Sequence, residues 1–208
     1  MTDRFKTGVM TVDRRLGGGI PAERMVAFRA APTSQSEALL LEMAAEYPTV
    51  YLSTERPAPA VRSTLRATGS DPDTHSVEQV VPGTPVIDAL RYVRKLPPET
   101  LLIVDPVDLL ERADEAAYRE FLTVLRERLV DTGSVAILHC LDGDAIPPQR
   151  DRTTYTADIV FECTTTVAQE QVETQLTIPK VRNGEAFEEA MTLEFGRSIT
   201  VDRSRDIA

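Results

Sequence analysis

Short apolar runs alternate with amphipathic stretches along the chain as far as about residue 140. The apolar runs have the length of buried strands and predict strands at Val26–Arg29, Val50–Thr54, Ser76–Val81, Leu101–Asp105 and Val135–Cys140. Between them, apolar residues at helical spacing predict helices from about Ser36, from Pro57 to about Ala67, from Thr84 or Pro85, and from Asp114 to about Asp131. This alternation predicts an α/β fold in which helices flank a mostly parallel sheet on both faces.

The pattern changes after Ile146-Pro-Pro148, where apolar residues begin to alternate with polar ones. Period-two segments joined by short turns predict strands at Ile159–Thr166, Gln171–Ile178 and Met191–Phe195. These strands should form an antiparallel extension on one edge of the sheet. The tail 198–208 should begin as a strand and then fray. We find no interdomain linker, and the length of 208 residues fits a single domain over 1–208.

The turn after the first core strand has the layout of a phosphate-binding loop. From Met25 to Glu37 the chain predicts a strand, a turn and the start of a helix, as in the pattern G-x-x-x-x-G-K-[ST]. Aligned with that pattern, the two glycines fall on Ala30 and Gln35, and the lysine falls on Ser36. The Mg²⁺-binding hydroxyl falls on Glu37. On these residues alone, an ordinary strand–loop–helix step of an α/β domain is an equal alternative.

The replacements remove the groups that bind phosphate. Glycines allow backbone N–H groups to curl around a phosphate, and Gln35 adopts that conformation only at a cost. Ser36 cannot supply the positive charge of the lysine, and Glu37 places a carboxylate where a triphosphate would lie. The candidate cofactor-binding residues therefore form a degenerate loop, which comprises Ala30, Thr33, Gln35, Ser36 and Glu37.

The segments around this loop follow one another in a familiar order. They are Thr7-Gly-Val-Met-Thr-Val-Asp13, Leu16-Gly-Gly-Gly-Ile-Pro21, Val50–Arg56, Leu101–Asp105, Val135–His139, Tyr155–Phe161 and Ile178–Gly184. Together they resemble the RecA/KaiC-like P-loop ATPases over nearly the whole chain. The chain is identified as a degenerate member of that family that lacks a working Walker A motif. The resemblance implies a RecA-like fold, with residues 1–24 as the segment that leads into the first core strand.

The resemblance also assigns three polar residues at predicted strand ends. Glu55 matches the catalytic glutamate, Asp105 matches the Walker B aspartate, and His139 lies where the family places a γ-phosphate sensor. Without a positioned nucleotide we regard all three as vestigial and predict no catalytic residue. Their alternative roles are structural. Glu55 would be an exposed strand-end residue paired with Arg56 or with another basic residue. Asp105 would bond loop N–H groups or hydroxyls at the carboxyl edge of the sheet, for example those of Thr33 or Ser34. His139 would be a satisfied structural residue.

Composition narrows the setting in which the chain works. The net charge is −10, and only Lys6, Lys95 and Lys180 among the 23 basic residues are lysine. This balance resembles proteins of halophilic archaea, although a GC-rich genome would also favour arginine. The negative charge argues against nucleic acid as a partner. No apolar run approaches the roughly 20 residues of a membrane span, and the N-terminus lacks a signal-peptide core, so we expect a cytoplasmic protein.

Cysteine and histidine usage predicts neither a disulfide nor a metal site. Cys140 and Cys163 lie in apolar strand-like contexts and should be buried, reduced thiols. The two cysteines and two histidines show no metal-ligand spacing.

Two functions remain open on the sequence. The first is a non-catalytic RecA/KaiC-like domain without ATP binding, which acts through protein–protein contacts as a regulatory or scaffold subunit, with a protein partner or as a homo-oligomer. The second is an ATPase or nucleotide-binding subunit with a non-standard or intersubunit site, which alone would use ATP and Mg²⁺. Residues offered to a neighbour in that case are Arg150, Arg152, Lys180 and Arg182.

Overall fold

A computed structural model describes residues 3–69, 71–168, 171–184, 186–196 and 198–202. Within them the strands are β1 (Arg4–Phe5), β2 (Ile20–Pro21), β3 (Met25–Ala30), β4 (Thr49–Ser53), β5 (His75–Gln79), β6 (Leu101–Asp105), β7 (Val135–Leu141), β8 (Ile159–Ala168), β9 (Gln171–Val181), β10 (Phe187–Phe195) and β11 (Ile199–Val201). The helices are α1 (Met10–Arg15), α2 (Ser36–Glu46), α3 (Ala58–Ala67), α4 (Pro85–Val93), α5 (Asp108–Glu111), α6 (Glu115–Thr132) and α7 (Arg150–Thr156). The predicted tail begins with β11, and its remainder, 203–208, lies outside the described residues.

Nine strands form one sheet in the order β11-β10-β9-β8-β3-β7-β6-β4-β5, with β3 at its centre. The strands from β8 to β5 pair in parallel, which confirms the predicted α/β fold with a mostly parallel sheet. The antiparallel extension is also present, but it begins one strand later than predicted. Strand β8 pairs in parallel with β3 and antiparallel with β9, so it belongs to both halves of the sheet.

The sheet is covered on both faces by apolar side chains that alternate along each strand. On β3, Val26 and Phe28 belong to one core, whereas Met25 and Ala27 belong to the core on the opposite face. This alternation follows from the two-residue period of a strand. Helix α6 packs on the second face and is closed at both ends, because Asp114 accepts bonds from two amides of the first turn and Gly133 takes a left-handed conformation.

In the segment before β3, the guanidinium of Arg4 links β1 to the turn that follows α1. Arg4 donates to the carbonyl oxygens of Leu16 at 2.7 Å and Gly19 at 2.9 Å. Gly19 has a φ of 121°, and a Cβ there would lie 2.5 Å from the carbonyl oxygen of Phe5, so only glycine fits. The Gly17–Gly19 turn is therefore a structural requirement of this segment.

Cys140 and Cys163 are buried, as the sequence predicts, and their thiols are free. Among the helices of the described ranges, none combines the length and the apolar character that crossing a membrane requires.

Candidate functional site

The loop between β3 and α2 keeps the position of a phosphate-binding loop but not its backbone conformation. None of the residues from 30 to 37 has a positive φ. Gln35, which takes the place of the second glycine, has φ −92° and ψ 25° and precedes the first residue of α2. The amide groups of this turn therefore do not form the concave nest that surrounds a phosphate.

Three side chains from three elements form a line at the carboxyl edge of the sheet. The Ser36 hydroxyl lies 3.0 Å from Nε2 of His139, and Nδ1 of the same ring lies 2.6 Å from Oδ1 of Asp105. Ser36 begins α2, Asp105 ends β6, and His139 lies near the end of β7. All three are buried, with exposures of 4% for Ser36, 5% for His139 and 7% for Asp105. The sequence predicted all three at this edge but not that they would bond one another.

The second oxygen of Asp105 is held by two further donors. The hydroxyl of the fully buried Tyr51 donates to Oδ2, and Nη2 of Arg56 lies 3.4 Å from the same atom. Burial by itself would raise the pKa of Asp105, but the bonds from His139 and Tyr51 and the charge of Arg56 lower the pKa overall. Burial and the neighbouring Asp105 carboxylate raise the pKa of Tyr51, which keeps its phenol protonated.

The ionised state of Asp105 fixes the direction of the hydrogen bonds. A carboxylate only accepts, so Nδ1 of His139 donates to it. In the neutral imidazole, Nε2 is then unprotonated and accepts the hydroxyl proton of Ser36. The hydroxyl of Ser34 in turn donates to Oγ of Ser36 at 3.0 Å.

Arg56 links two carboxylates at the carboxyl edge of the sheet. Its guanidinium pairs with the Glu37 carboxylate on one side and contacts Asp105 on the other. Burial acts to lower the pKa of Arg56, but Tyr51, Glu37 and Asp105 together raise it. We call these residues the Asp105 cluster, which comprises Ser36, Glu37, Tyr51, Arg56, Asp105 and His139.

Two of the expected partners differ in the structure. Asp105 accepts from a hydroxyl at the carboxyl edge, but the hydroxyl is that of Tyr51 rather than Thr33 or Ser34, and its other partners are His139 and Arg56. Glu55 is exposed, as expected, but Arg56 pairs with Glu37 instead of with its neighbour. The buried Asp105 carboxylate requires donors, which is the physical reason for the first difference.

The other loop residues lie outside this cluster. Ala30 is the last residue of β3, and its side chain is buried in the core. Thr33 is exposed in the turn. Gln35 is also exposed and lines a groove of about 450 Å³ with residues of β9 and β10.

A second polar cluster, which the sequence analysis missed, lies at the same edge. Nε of Arg150 lies 3.0 Å from Oε2 of Glu111, and its terminal nitrogens pair with Asp108 at 3.0 Å and Asp142 at 2.9 Å. Arg150 is 4% exposed and Glu111 is fully buried at 0%. Burial raises the pKa of Glu111, although bonds from Arg150 and Thr153 oppose this. We call Asp108, Glu111, Asp142, Arg150 and Thr153 the Arg150 cluster.

This cluster overturns the prediction that Arg150 is a surface residue available to a neighbouring subunit. A buried guanidinium needs acidic partners, and here two segments supply them, namely α5 with Asp108 and Glu111 and the residue after β7 with Asp142. The sequence contained one signal that could have found them, since Asp108 and Glu111 are spaced to share one face of a helix.

The side chains at the β3–α2 turn do not suit the binding of Mg-ATP. A phosphate at the N-terminus of α2 would meet the Glu37 carboxylate, and the turn offers no amide nest for it. In the described part of the chain, no group of three or more His, Cys, Asp or Glu side chains is arranged to hold a metal ion.

The central parallel sheet, the β3–turn–α2 step and the acidic strand end of β6 together define a RecA-like α/β domain. The chain belongs to a family of unknown function, DUF7125, whose model matches residues 4–208. No curated protein matches the sequence.

Among solved structures, the fold is similar to that of a KaiC-like protein from the hyperthermophilic archaeon Pyrococcus horikoshii OT3. The TM-score is 0.76 at 18% sequence identity, and the match covers 96% of this chain and 98% of that chain. At this identity the likeness shows that the two proteins share a fold.

Proposed function

We propose that this chain is a RecA/KaiC-like domain that has lost ATP binding and acts through protein–protein contacts, as a regulatory or scaffold subunit. The observation that carries the proposal is the Arg56 guanidinium, which links Glu37 to Asp105 across the position of the nucleotide. In a working P-loop a lysine offers its charge to phosphate. Here the cation of the cleft is already committed to two carboxylates of the protein itself.

The negative charge of the Glu37 and Asp105 carboxylates also disfavours the binding of a nucleotide. ATP would have to break the Glu37–Arg56 pair and then lie against the carboxylates of Glu37 and Asp105. The lysine position offers no replacement charge, because Ser36 is bonded to His139. The intersubunit alternative is also weakened, since Arg150 is buried and both Lys180 and Arg182 donate to the carbonyl oxygen of Tyr155.

Large apolar side chains on the surface support a role in protein contacts. Ile87 on α4 is 71% exposed and stands beside the charged side chains of Arg91 and Arg94. Met10 and Tyr155 are likewise exposed on other faces. Interaction sites are marked by contiguous apolar patches, so among these residues Ile87 with its charged neighbours is the position chosen for a test. The acidic, arginine-rich composition supports a cytoplasmic setting in a halophilic archaeon as part of the same proposal.

Calorimetric titration with Mg-ATP at high salt tests the loss of nucleotide binding. We expect no binding heat, whereas a micromolar dissociation constant, about 8 kcal/mol of binding, would contradict the proposal. A variant with Ala30→Gly, Thr33→Gly, Gln35→Gly, Ser36→Lys and Glu37→Thr rebuilds the loop, and its matched control keeps Ser36. Binding by the first variant but not by the control would locate the defect in the loop. If the rebuilt loop folds but binds no ATP, the defect extends to Arg56 and His139.

Affinity capture from the native organism tests the protein-contact half. We expect the same partner, or further copies of the chain, to be retained by the wild type and lost with Ile87→Asp. A control variant, Glu127→Lys, changes the charge at an exposed position on α6. A monomer that retains no protein under native salt would overturn this half of the proposal.

A further inference from the structure

The line Ser36–His139–Asp105 has the connectivity of a nucleophile, a general base and an orienting carboxylate. We propose that Ser36 is an activated nucleophile toward small carboxylic esters, with His139 as its general base and Asp105 as a positioning residue. This goes beyond the proposed function, which denies ATP chemistry to the cleft but leaves acyl transfer open.

Both hydrogen bonds needed for this chemistry are in place. The 3.0 Å separation of Ser36 Oγ and His139 Nε2 is short enough for direct proton transfer. The 2.6 Å bond from Nδ1 of His139 to Asp105 orients the ring and stabilises the imidazolium that forms during the reaction. Asp105 is itself fixed from its other side by Tyr51 and Arg56, so the base has little rotational freedom.

The position of Ser36 in the fold supplies the remaining requirement. It is the first residue of the 11-residue helix α2, directly after the turn from the central strand. The Ser36 amide already donates to Oγ of Ser34 at 3.4 Å, whereas the Glu37 amide lies in the first turn, where helical carbonyl partners are missing. Such amides can stabilise the oxyanion of a tetrahedral intermediate, as they do beside nucleophilic serines on other strand–turn–helix steps.

The Glu37–Arg56 pair is the solvent-exposed part of the Asp105 cluster. Ser36 is buried, whereas the side chains of Arg56 and Glu37 are 35% and 38% exposed. Ion pairs with this much solvent contact are weak, so the two side chains can separate without loss of the fold. Because Ser36 itself is buried, the proposal is confined to small acyl groups.

The reaction balances with water as the only co-reactant. As the Ser36 oxygen bonds to the carbonyl carbon, its proton passes to Nε2 of His139. The ester C–O bond then breaks, and the alcohol leaves with that proton. Water then attacks the acyl-serine carbonyl and gives a proton to Nε2 of His139. The bond between the acyl carbon and the Ser36 oxygen breaks, that oxygen takes the proton from His139, and the carboxylic acid leaves.

Labelling with a fluorophosphonate probe and hydrolysis of p-nitrophenyl acetate test the proposal. We expect one label per chain, on the peptide that contains Ser36, and ester turnover above the rate in buffer. Ser36→Ala should abolish both, and His139→Gln should reduce both at least 100-fold. The control Ser63→Ala removes an exposed serine on α3 and should change neither. An unlabelled wild type, or labelling that survives Ser36→Ala, overturns the proposal.

A thiol at the same position separates activation from a structural role. In Ser36→Cys, iodoacetamide should alkylate the new thiol at pH 7 at least ten times faster than in the double variants with His139→Gln or Asp105→Asn. The native thiols serve as slow internal references, because burial raises the pKa of Cys163 to about 11 and that of Cys140 well above its usual value. Equal alkylation rates in the three folded variants would show that the line is structural only.

Discussion

The Asp105 cluster and the Arg150 cluster lie at the same edge of the sheet but balance their charges differently. Asp105 accepts hydrogen bonds from two donors, Tyr51 and His139, and shares the cation Arg56 with Glu37. In the Arg150 cluster, one guanidinium faces the carboxylates of Asp108, Glu111 and Asp142. The pKa of Asp105 is lowered, whereas the pKa of Glu111 is raised by burial.

Because of this difference, the two clusters should respond differently to the loss of one side chain. A carboxylate held by several donors stays ionised when one donor is lost, because the others still stabilise its charge. In the Arg150 cluster, Arg29 also pairs with Asp142, but the cation that pairs with the fully buried Glu111 is Arg150. Loss of Arg150 therefore removes the charge that compensates Glu111. We therefore expect the Arg150 cluster to stabilise the fold and the Asp105 cluster to tolerate rearrangement, as a reactive site requires.

The largest effect should follow from removal of the shared cation. Arg150→Met leaves the fully buried Glu111 without its partner and should lower the free energy of unfolding by about 3–5 kcal/mol. Urea unfolding measures this loss. The control Arg152→Met removes a solvent-exposed pair with Glu115 and a bond to Gln149, and it should cost about 1 kcal/mol or less. Equal losses in the two variants would remove the contrast between the clusters.

A smaller effect, dependent on pH, should follow from Asp105→Asn. Loss of a charge-assisted bond with His139 should lower the free energy of unfolding by about 1.5–3 kcal/mol near neutral pH. The folded pKa of Asp105 lies below its ordinary value of 3.8. Its contribution is therefore complete above about pH 4, where the unfolded chain is also ionised, and is lost as the pH falls through the folded pKa.

Chemical unfolding of both proteins between pH 7 and pH 2 measures this dependence. The gap between wild type and Asp105→Asn should narrow as the pH falls below about 4. Asp144→Asn, at an exposed position after β7, is a matched control whose unfolding should follow the wild type. A gap that stays constant over the whole range would mean that Asp105 is not stabilised in its charged form.

The smallest effect should follow from Arg56→Met. Because this guanidinium is about one-third exposed, its loss should change the free energy of unfolding by about 1 kcal/mol or less. Unfolding curves at low and high salt test this, and the difference between wild type and variant should shrink as salt screens the pair. A loss as large as that of Arg150→Met would show that the two clusters have the same role.

The main features of the fold could be predicted because they depend on local apolar pattern. The apolar run that begins at Met25 predicted a buried strand, and this strand is the central one of the sheet. The helix predicted from Asp114 to about Asp131 agrees with α6 to within one residue at each end. Helix α1 was missed, because its six residues bury only Val12 and leave little periodic signal. The parallel pairing of β8 with β3 was missed because period-two character does not reveal strand direction.

The site was predicted only in part, because its contacts are distant in sequence. Parallel strand ends gather at one edge, so Asp105 and His139 could be placed near the loop from the sequence. Their bonds could not, since Ser36 is 103 residues from His139, which is 34 residues from Asp105. Burial of Arg150 could not be predicted from its own neighbours in sequence, which are polar and typical of a surface. The only signal lay elsewhere, in the spacing of Asp108 and Glu111.

The central place of β3 has a consequence for the chain as it leaves the ribosome. Strand β3 ends at Ala30, but its neighbours β7 and β8 begin only at Val135 and Ile159. Synthesis at about 5–20 residues per second leaves this apolar strand without either partner for at least several seconds. During vectorial synthesis, the central strand of the finished sheet is thus one of the last to acquire both of its neighbours.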